Sequence, residues 1–434
     1  MAPVALTTLA TTLSATASIS TSVRVRSMAC RVTESASDFL PASTLPPANT
    51  SNTSVSVINC LSAWLAAAAT LTAVTSASTR KAKSRETSRA GVSLVEPGSV
   101  FTKTEIKNSI NNLDPKVKRS IDLAFSRIKN FHKKQKFQGF KTKDKYNNVF
   151  SYRSKPMNKI GVYVPGGKAS YPSSVLMNCI PAIIAGVKEI FMTVPALKNK
   201  ANPGILYAAK KCKVKKIFKL GGAQAIAAFA FGTETVNKVD KVVGPGNEYV
   251  ALAKKEVLGE TGIDMFAGPS EVTIIADKYS NPEWISADLI AQSEHDEMSQ
   301  SILVTDSKDV TKNVQNFLKM QLKFLPKKKI ASSSLGNFGI SILAKSSKEI
   351  SKIVNKISPE HLEIYTKKPG IYLKSITNAG SIFLGPYSPE AIGDYLAGPN
   401  HVLPTSGTAK FSSGLSVYDF LKRQSVINIT KRGI

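Results

Sequence analysis

The central part of the chain alternates between short apolar runs and segments whose apolar residues recur at helical spacing. Apolar runs typical of buried strands occur at 159–167, 189–194, 214–220 and 241–243, and helical segments separate them at 172–185, 202–211 and 221–231. Strands that alternate with helices at this interval predict a parallel sheet with helices on both faces. A second series follows, with strands at 264–276, 301–305 and 337–344 and helices at 287–300, 310–322 and 347–354. The fold class predicted is therefore α/β, with two parallel sheets.

The stretch ahead of the first sheet carries a helical pattern. Its apolar residues recur at helical spacing from Ile106 to Phe131, and Pro115 falls at a helix start, where its missing N–H costs little. We assign residues 95–160 to a helical segment that packs on the second domain. His132 lies in a basic stretch, and we expect its ring to be solvated.

Residues 1–94 differ in composition from everything that follows. They are rich in Ala, Ser and Thr, and before residue 80 their only acidic residues are Glu34 and Asp38. This composition is typical of an organellar transit segment, and a disordered or non-native extension is the alternative. The apolar run at 59–74 is short for a membrane span, so no membrane partner is expected. The compartment expected is the cytoplasm, or a plastid if the extension is a transit peptide.

Charge and cysteine content narrow the classes of protein further. With 42% hydrophobic and 20% charged residues, the chain has the composition of a soluble globular protein. The net charge of +28 comes mostly from lysines, which are spread along the chain without interleaved aromatic residues. This distribution favours a solvated surface over a nucleic-acid interface. The four cysteines form no CxxC pair, which suits a reducing compartment.

The segment ADLIAQSEHDEMSQ, residues 287–300, carries a candidate metal site. Gln292 and His295 are three residues apart on the predicted helix and share one face. An amide oxygen and an imidazole can hold one divalent cation, and zinc suits the imidazole; a packed, hydrogen-bonded histidine is the alternative. Asp394, in a loop beside Gly393, is available as a third ligand. His401 is expected to be structural.

Two further patterns suggest a ligand and a general base. Glycine-rich loops at 163–167, 221–224 and 244–247 fall where strands end, the edge at which such sheets bind ligands. None is GxGxxG, and each alone could be a tight turn, but together they favour a nucleotide-sized ligand. Glu360 and His361 follow Pro359, which favours an extended backbone, and form a plausible general-base pair. A purely structural role for this pair stays open.

Six motifs together resemble the histidinol dehydrogenase family over about Val100 to Thr430. They are GVYVPGG (161–167), GGAQAIAAFAFGTETVNKVDKVVGPGN (221–247), DMFAGPSEV (264–272), DLIAQSEHD (288–296), SPEHLE (358–363) and GDYLAGPNHVLPT (393–405). The resemblance implies oxidation of L-histidinol, via L-histidinal, to L-histidine in two NAD-dependent steps of histidine biosynthesis. It also implies two incomplete Rossmann-like domains, a homodimer and one Zn²⁺ per subunit.

The resemblance also assigns roles to individual residues. It implies NAD contacts at Tyr163, Gln224 and Asn247 and a catalytic pair at Glu360 and His361. The zinc ligands implied are Gln292, His295 and Asp394. The substrate contacts implied are Ser270, Gln292, His295, His361 and Asp394.

The resemblance divides the chain into an NAD-binding α/β domain at 161–262, a zinc and substrate α/β domain at 263–405 and a truncated C-terminal arm at 406–434. Family members continue into a helical tail that carries a substrate-binding Glu and a fourth zinc ligand, a His. An inactive truncated homologue that still binds NAD or metal is therefore the alternative function. A basic nucleic-acid-associated protein is a third hypothesis, motivated only by the net charge.

Overall fold

The computed structural model describes residues 99–166, 171–196, 199–266 and 268–433. The extension predicted at 1–94 lies outside these residues. Within them, no helix is both long and apolar enough to cross a membrane.

The strands of the described residues fall into three sheets. They are β1 (Phe140–Lys143), β2 (Val149–Pro156), β3 (Lys159–Tyr163), β4 (Glu189–Thr193), β5 (Lys216–Phe218), β6 (Lys241–Val243), β7 (Gly262–Ile263), β8 (Glu271–Ala276), β9 (Gln300–Thr305), β10 (Gly339–Leu343), β11 (His361–Ile364), β12 (Ser381–Leu384) and β13 (Leu421–Asn428). One parallel sheet has the order β5-β4-β3-β6-β7 and the other β10-β9-β8-β11-β12. Both sheets reverse strand order at the same point, between the first and fourth strand of the unit, and this confirms the α/β class with two parallel sheets.

Helices connect these strands. They are α1 (Lys103–Asn111), α2 (Pro115–His132), α3 (Pro172–Ala185), α4 (Pro203–Lys211), α5 (Gly222–Phe231), α6 (Glu248–Glu256), α7 (Pro282–Ser293), α8 (Lys308–Gln321), α9 (Lys328–Phe338), α10 (Ser347–Ile357), α11 (Gly370–Leu373) and α12 (Glu390–Ile392). A π-helical turn, Gly393–Ala397, continues α12, and we call the two together the helical turn 390–397.

Close packing fixes the first sheet against its helices. Gly161 of β3 carries no side chain, and a Cβ there would lie 2.5 Å from the Phe229 ring of α5. On the other face, Ile121 and Ile128 of α2 share a core with Leu176 of α3. Their spacing of seven residues places both on one stripe of α2, which is the pattern that predicted this helix.

The sequence prediction for 95–160 is wrong in its second half. The helical pattern ends with α2, and residues 140–156 form the β1–β2 hairpin. Strand β2 also pairs antiparallel with β13, from Val149 opposite Asn428 to Pro156 opposite Leu421. The partner strand lies more than 260 residues away, so local periodicity did not indicate it. His132 is also buried rather than solvated, with Nδ1 2.7 Å from the Gln135 Oε1.

Three element predictions in the second unit need correction. The helix predicted at 287–300 is α7, which begins earlier, at Pro282 after the Asn281 cap, and ends at Ser293. Helix α9 was not predicted, and it occupies a stretch that contains few apolar residues. Asp394 lies on the helical turn 390–397 rather than in a loop.

Candidate active site

His361 is the first residue of β11 and is buried, with 3% of its surface exposed. Ser358, after α10, has a left-handed φ of 53°, and this turns the chain from the helix towards the strand. The His361 Nδ1 lies 3.1 Å from the carbonyl oxygen of Glu271, at the start of β8. A neutral ring that donates from Nδ1 leaves Nε2 as the basic nitrogen.

Three carboxyl groups surround this ring. The Glu360 Oε2 and Glu390 Oε1 lie 3.6 and 3.8 Å from Nδ1, and the Asp394 Oδ1 lies 3.3 Å from Nε2. Burial disfavours the charged ring, but the carboxylates of Glu390, Glu360 and Asp394 raise the pKa of His361 well above its usual range. His361 is therefore poised to gain and hold a proton.

The carboxyl groups differ in protonation. Burial raises the pKa of Glu360 to about 8 and that of Glu390 to about 7. The Glu360 Oε2 also accepts a hydrogen bond from the Glu271 N–H (2.9 Å). Burial opposes ionisation of Asp394, yet its pairing with His361 lowers its pKa below the usual value. The site thus holds an ionised carboxylate beside two carboxyl groups that titrate near neutral pH.

Asp394 lies at the centre of a histidine cluster. His295 and His401, as well as His361, lie near enough for their charges to lower its pKa. Desolvation lowers the pKa of both His295 and His401, which keeps these rings neutral and able to act as ligands. The His401 Nε2 is buried and has no hydrogen-bond partner within the described residues.

Gln292 lies in the last turn of α7, with 1% of its surface exposed. Neither its Oε1 nor its Nε2 has a hydrogen-bond partner in the described part of the chain. An unsatisfied buried amide is costly unless a ligand completes it. His295 follows two residues after the helix ends, and its amide N–H donates to the Gln292 carbonyl (3.3 Å). This short turn, rather than a continuous helix, keeps Gln292 and His295 together.

These donors fit a zinc ion. Gln292 offers an amide oxygen that has no partner in the described part of the chain, His295 offers a neutral imidazole and Asp394 an ionised carboxylate. A second set shares Asp394, because ligand atoms of His361, Glu390 and Asp394 lie within 4.8 Å of one another. The ion pair between His361 and Asp394 explains without a metal why the residues of the second set lie close together. Nothing within the described residues explains the unpaired Gln292 amide in the same way.

Ser270 comes directly before β8 and is partly exposed. Its carbonyl oxygen accepts a hydrogen bond from the Gln300 N–H (3.0 Å), which ties it to the start of β9. Residues Ser270, Glu360 and His361 therefore all lie at the amino ends of strands of the second sheet.

The three residues predicted to contact a nucleotide belong to the first sheet. They lie at the carboxyl ends of its strands, whereas the catalytic pair lies at the amino ends of strands in the second sheet. Tyr163 ends β3, and its hydroxyl oxygen accepts from the Gly222 N–H (3.1 Å) at the start of α5. Gln224 is exposed in the first turn of the same helix, and Asn247 is the exposed N-cap of α6. The structure thus places all three beside two helix N-termini, which favour anionic groups.

The loop before α6 needs its glycine. Gly244 has φ +111°, and a Cβ there would lie 2.1 Å from the Tyr163 carbonyl oxygen. A buried ion pair holds the loop: the Lys254 Nζ donates to the Gly244 carbonyl oxygen (2.5 Å) and to Asp264 Oδ1 (2.6 Å). The Asp264 Oδ2 in turn accepts from the Gly244 N–H (2.7 Å). Asn247 therefore projects from a fixed loop.

Several of these residues were not singled out from the sequence. Glu271 acts through a contact with Glu360, 89 residues away in the chain, and Lys254 and Asp264 act through an ion pair that forms only in the folded loop, so their types and spacing carried no signal. Glu390, by contrast, could have been found from the sequence. It lies four residues before Asp394, and a helix that starts after Pro389 places both side chains on one face.

The two candidate regions belong to one packed body. The Asn400 side chain, on the segment that follows Asp394, donates to the Met177 carbonyl oxygen of α3 (2.7 Å). Helix α3 follows the Tyr163 loop in the chain, and Arg127 of α2 contacts the Leu396 carbonyl oxygen (3.4 Å). The helical turn 390–397 is thereby held against the first unit.

Comparison with known proteins places this arrangement in one family. The histidinol dehydrogenase family model matches residues 76–434. The chain belongs to the histidinol dehydrogenase family. The match begins ahead of Val100, the position from which the motifs showed the resemblance. The family consists of NAD-dependent oxidoreductases of histidine biosynthesis. The match of the family model over most of the chain does not favour the alternative of an inactive truncated homologue.

Individual relatives agree with the family match. The chain is 54% identical to the histidinol dehydrogenase of Pelagibacter ubique over 331 residues, which are 76% of this chain and 77% of the relative. It is 50% identical to that of Clostridium acetobutylicum, covering 77% of this chain and 78% of the relative. The crystal structure of histidinol dehydrogenase from Elizabethkingia anophelis superposes with a TM-score of 0.75 at 40% identity, covering 77% of each chain.

Proposed function

We propose that this chain oxidises L-histidinol to L-histidine, using two NAD⁺ and one bound Zn²⁺, in a single site centred on His361. The observation that carries the proposal is the buried His361 ring, whose Nδ1 is fixed by Glu271 and whose Nε2 faces Asp394. Family membership supports the choice of substrate.

The first oxidation requires a base for the carbinol hydroxyl. In its neutral form, His361 accepts that proton at Nε2 while a hydride leaves the carbinol carbon for NAD⁺, so an aldehyde, NADH and the His361 imidazolium result. The ring keeps its orientation because Nδ1 stays bonded to the Glu271 carbonyl oxygen. Glu390 and Asp394 stabilise the imidazolium that forms.

The second oxidation requires water. Once ionised, Glu360, whose pKa burial raises to about 8, can take a proton from a water molecule that adds to the aldehyde carbon, while the His361 imidazolium gives its proton to the aldehyde oxygen and becomes neutral again. His361 then removes a hydroxyl proton from the hydrate as a hydride passes from the hydrate carbon to a second NAD⁺. The products are the carboxylate, a second NADH and protons, which balances the reaction.

Gln292, His295 and Asp394 would hold the zinc ion. When bound, it would fix the substrate by coordinating its imidazole and amine groups and would offset the Asp394 charge. Ser270, directly before β8, would contact the same substrate. Tyr163, Gln224 and Asn247 would hold NAD at the carboxyl edge of the first sheet.

A homodimer and one zinc per subunit complete the proposal, together with a cytoplasmic or plastid location. The test is the stoichiometry of exhaustive conversion. With excess NAD⁺, we expect two NADH per L-histidinol and L-histidine as the product. One NADH per substrate would restrict the chain to alcohol oxidation, and none would overturn the proposal.

A further inference from the structure

Glu363 is a buried acid that takes no part in the proton transfers of His361 and Glu360. It lies two residues after His361 on β11, so both side chains project from the same face of the strand. Only 1% of its surface is exposed. A buried carboxyl group so close to the site has to be satisfied by its neighbours.

One oxygen of Glu363 holds the helical turn 390–397. Its Oε1 accepts a hydrogen bond of 2.7 Å from the backbone N–H of Glu390, the first residue of that turn. The turn carries Glu390 and Asp394, two of the carboxyl groups that surround His361. This bond therefore links the strand that carries the base to the segment that carries its ionised partner.

The Glu363 carboxyl group also lies against Asp288 of helix α7. Within the described residues, Glu363 Oε2 has no hydrogen-bond donor, and the Asp288 carboxyl group lies within hydrogen-bonding reach of the Glu363 carboxyl group. Two carboxyl oxygens that meet away from water are stable only when a proton lies between them. Burial raises the pKa of both Glu363 and Asp288, which keeps that proton in place. The Tyr365 hydroxyl donates to Asp288 Oδ2 and fixes the orientation of this carboxyl group.

Asp288 lies four residues before Gln292 on α7, and the two share one face of the helix. Glu363 lies on β11, the strand that carries His361. It thus links this strand to the two other segments that carry the site, helix α7 and the helical turn 390–397.

We propose that Glu363 is a positioning residue that holds His361, Gln292 and Asp394 in register by joining β11, α7 and the helical turn 390–397, with one proton shared with Asp288. Its activity readout rests on the proposed oxidation of L-histidinol, whereas its zinc readout rests only on the zinc ligands proposed with that function.

Two substitutions test this role. Glu363→Gln keeps an oxygen for the Glu390 N–H and supplies an N–H for Asp288, so we expect turnover and zinc content close to those of the unsubstituted chain. Glu363→Met has a similar volume but neither group, and we expect it to lower kcat and zinc retention by about 10- to 100-fold. Protection against unfolding by NAD, which concerns the first sheet, should be the same in both variants.

The outcomes separate the possible roles. A Glu363→Met variant with full zinc and full kcat would overturn the proposal. Loss of activity in Glu363→Gln as large as in Glu363→Met would also overturn it, because Glu363 would then have to ionise. If the unsubstituted chain does not reduce NAD⁺ with L-histidinol, the proposed function fails, while the zinc contents of the two variants still decide the positioning role.

If Glu363→Met fails to fold, the pH dependence of kcat tests whether Glu363 and Asp288 share a proton. Glu390 and Tyr365 are the other titratable groups that face the Glu363–Asp288 pair. In the unsubstituted chain, rising pH removes the shared proton and leaves two carboxylates that repel, whereas the glutamine N–H cannot be lost. The kcat of Glu363→Gln relative to the unsubstituted chain should therefore rise with pH. A ratio that is constant or falls would contradict the shared proton.

Discussion

At the scale of single residues, the site depends on protonation states that the fold imposes. Glu360 is the clearest case, because burial raises its pKa from 4.5 to about 8. The folded state binds more protons than the unfolded state between these values, so its stability falls as the pH rises through this window.

Glu360→Gln should remove that dependence. We expect the variant to gain stability over the unsubstituted chain as the pH rises from about 5 to about 8, by on the order of a few kcal/mol. Urea unfolding at several pH values measures the difference. Glu256→Gln, at an exposed position, is the matched control and should show no such trend. A difference between Glu360→Gln and the unsubstituted chain that does not vary with pH would contradict the pKa assigned to Glu360.

Gln292 offers a second test, in which stability and metal binding move in opposite directions. Its amide is buried and has no hydrogen-bond partner among the residues that the structure describes. In metal-free protein, Gln292→Leu should raise the free energy of unfolding by about 1–2 kcal/mol, because the unsatisfied amide is removed. Zinc retained after dialysis should fall. Gln315→Leu, on the exposed face of α8, should change neither quantity. Unchanged zinc content in Gln292→Leu would exclude Gln292 as a ligand.

At the scale of secondary-structure elements, helix caps and loops determine where the residues proposed to bind NAD lie. Asn247 caps α6 by accepting a hydrogen bond from the Val250 N–H (3.2 Å), which uses its carbonyl oxygen and leaves its NH₂ group for a ligand. The cap role of Asn247 is therefore compatible with the NAD contact that we propose for the same side chain.

Asn247→Leu should lose both roles, and Asn247→Asp only the second. We expect the leucine variant to lose about 1 kcal/mol of stability, and both variants to lose most of the thermal protection given by saturating NAD. Asn202→Leu removes a cap of the same kind from α4 and should leave NAD protection intact. If Asn247→Asp is protected as well as the unsubstituted chain, the Asn247 amide does not contact NAD.

The elements also show which features the sequence could predict. Helix α3 was predicted from 172 to 185 and β6 from 241 to 243, as the structure has them, because buried helices and parallel strands carry strong local patterns. Helix α7 was shifted, because its start depends on the Asn281 cap and its last turn lies outside the apolar pattern. Strand β13 was missed, since seven of its eight residues are exposed and its partner β2 is distant in the chain.

At the scale of the whole molecule, the residues proposed to bind NAD and those proposed to bind zinc belong to different sheets. Removal of zinc should therefore leave NAD binding intact. We expect chelator-treated protein to be stabilised by about 2.7 kcal/mol at an NAD concentration 100 times the dissociation constant, as is the untreated protein. Thermal unfolding with and without NAD measures this. Loss of NAD protection after chelation would mean that the two sites are coupled.

The candidate site itself was only partly predictable. Glu360, His361 and Asp394 were found as residue types in informative motifs, and the structure brings them together. Glu271 and Glu363 escaped notice because their roles arise from the pairing of β8 with β11 and from contacts with α7, which local sequence does not encode.

The central claim is that His361 serves as the base in both oxidations, while Glu360 serves only the hydration between them. The direct measurement is NADH formation by His361→Asn, Glu360→Gln and the unsubstituted chain with L-histidinol and, separately, with L-histidinal. We expect His361→Asn to lose about two to four orders of magnitude in kcat with either substrate. Glu360→Gln should keep alcohol oxidation and be slowed with the aldehyde, so it stops near one NADH per L-histidinol. Full activity of His361→Asn with either substrate, or equal losses for both substrates in Glu360→Gln, would contradict the account.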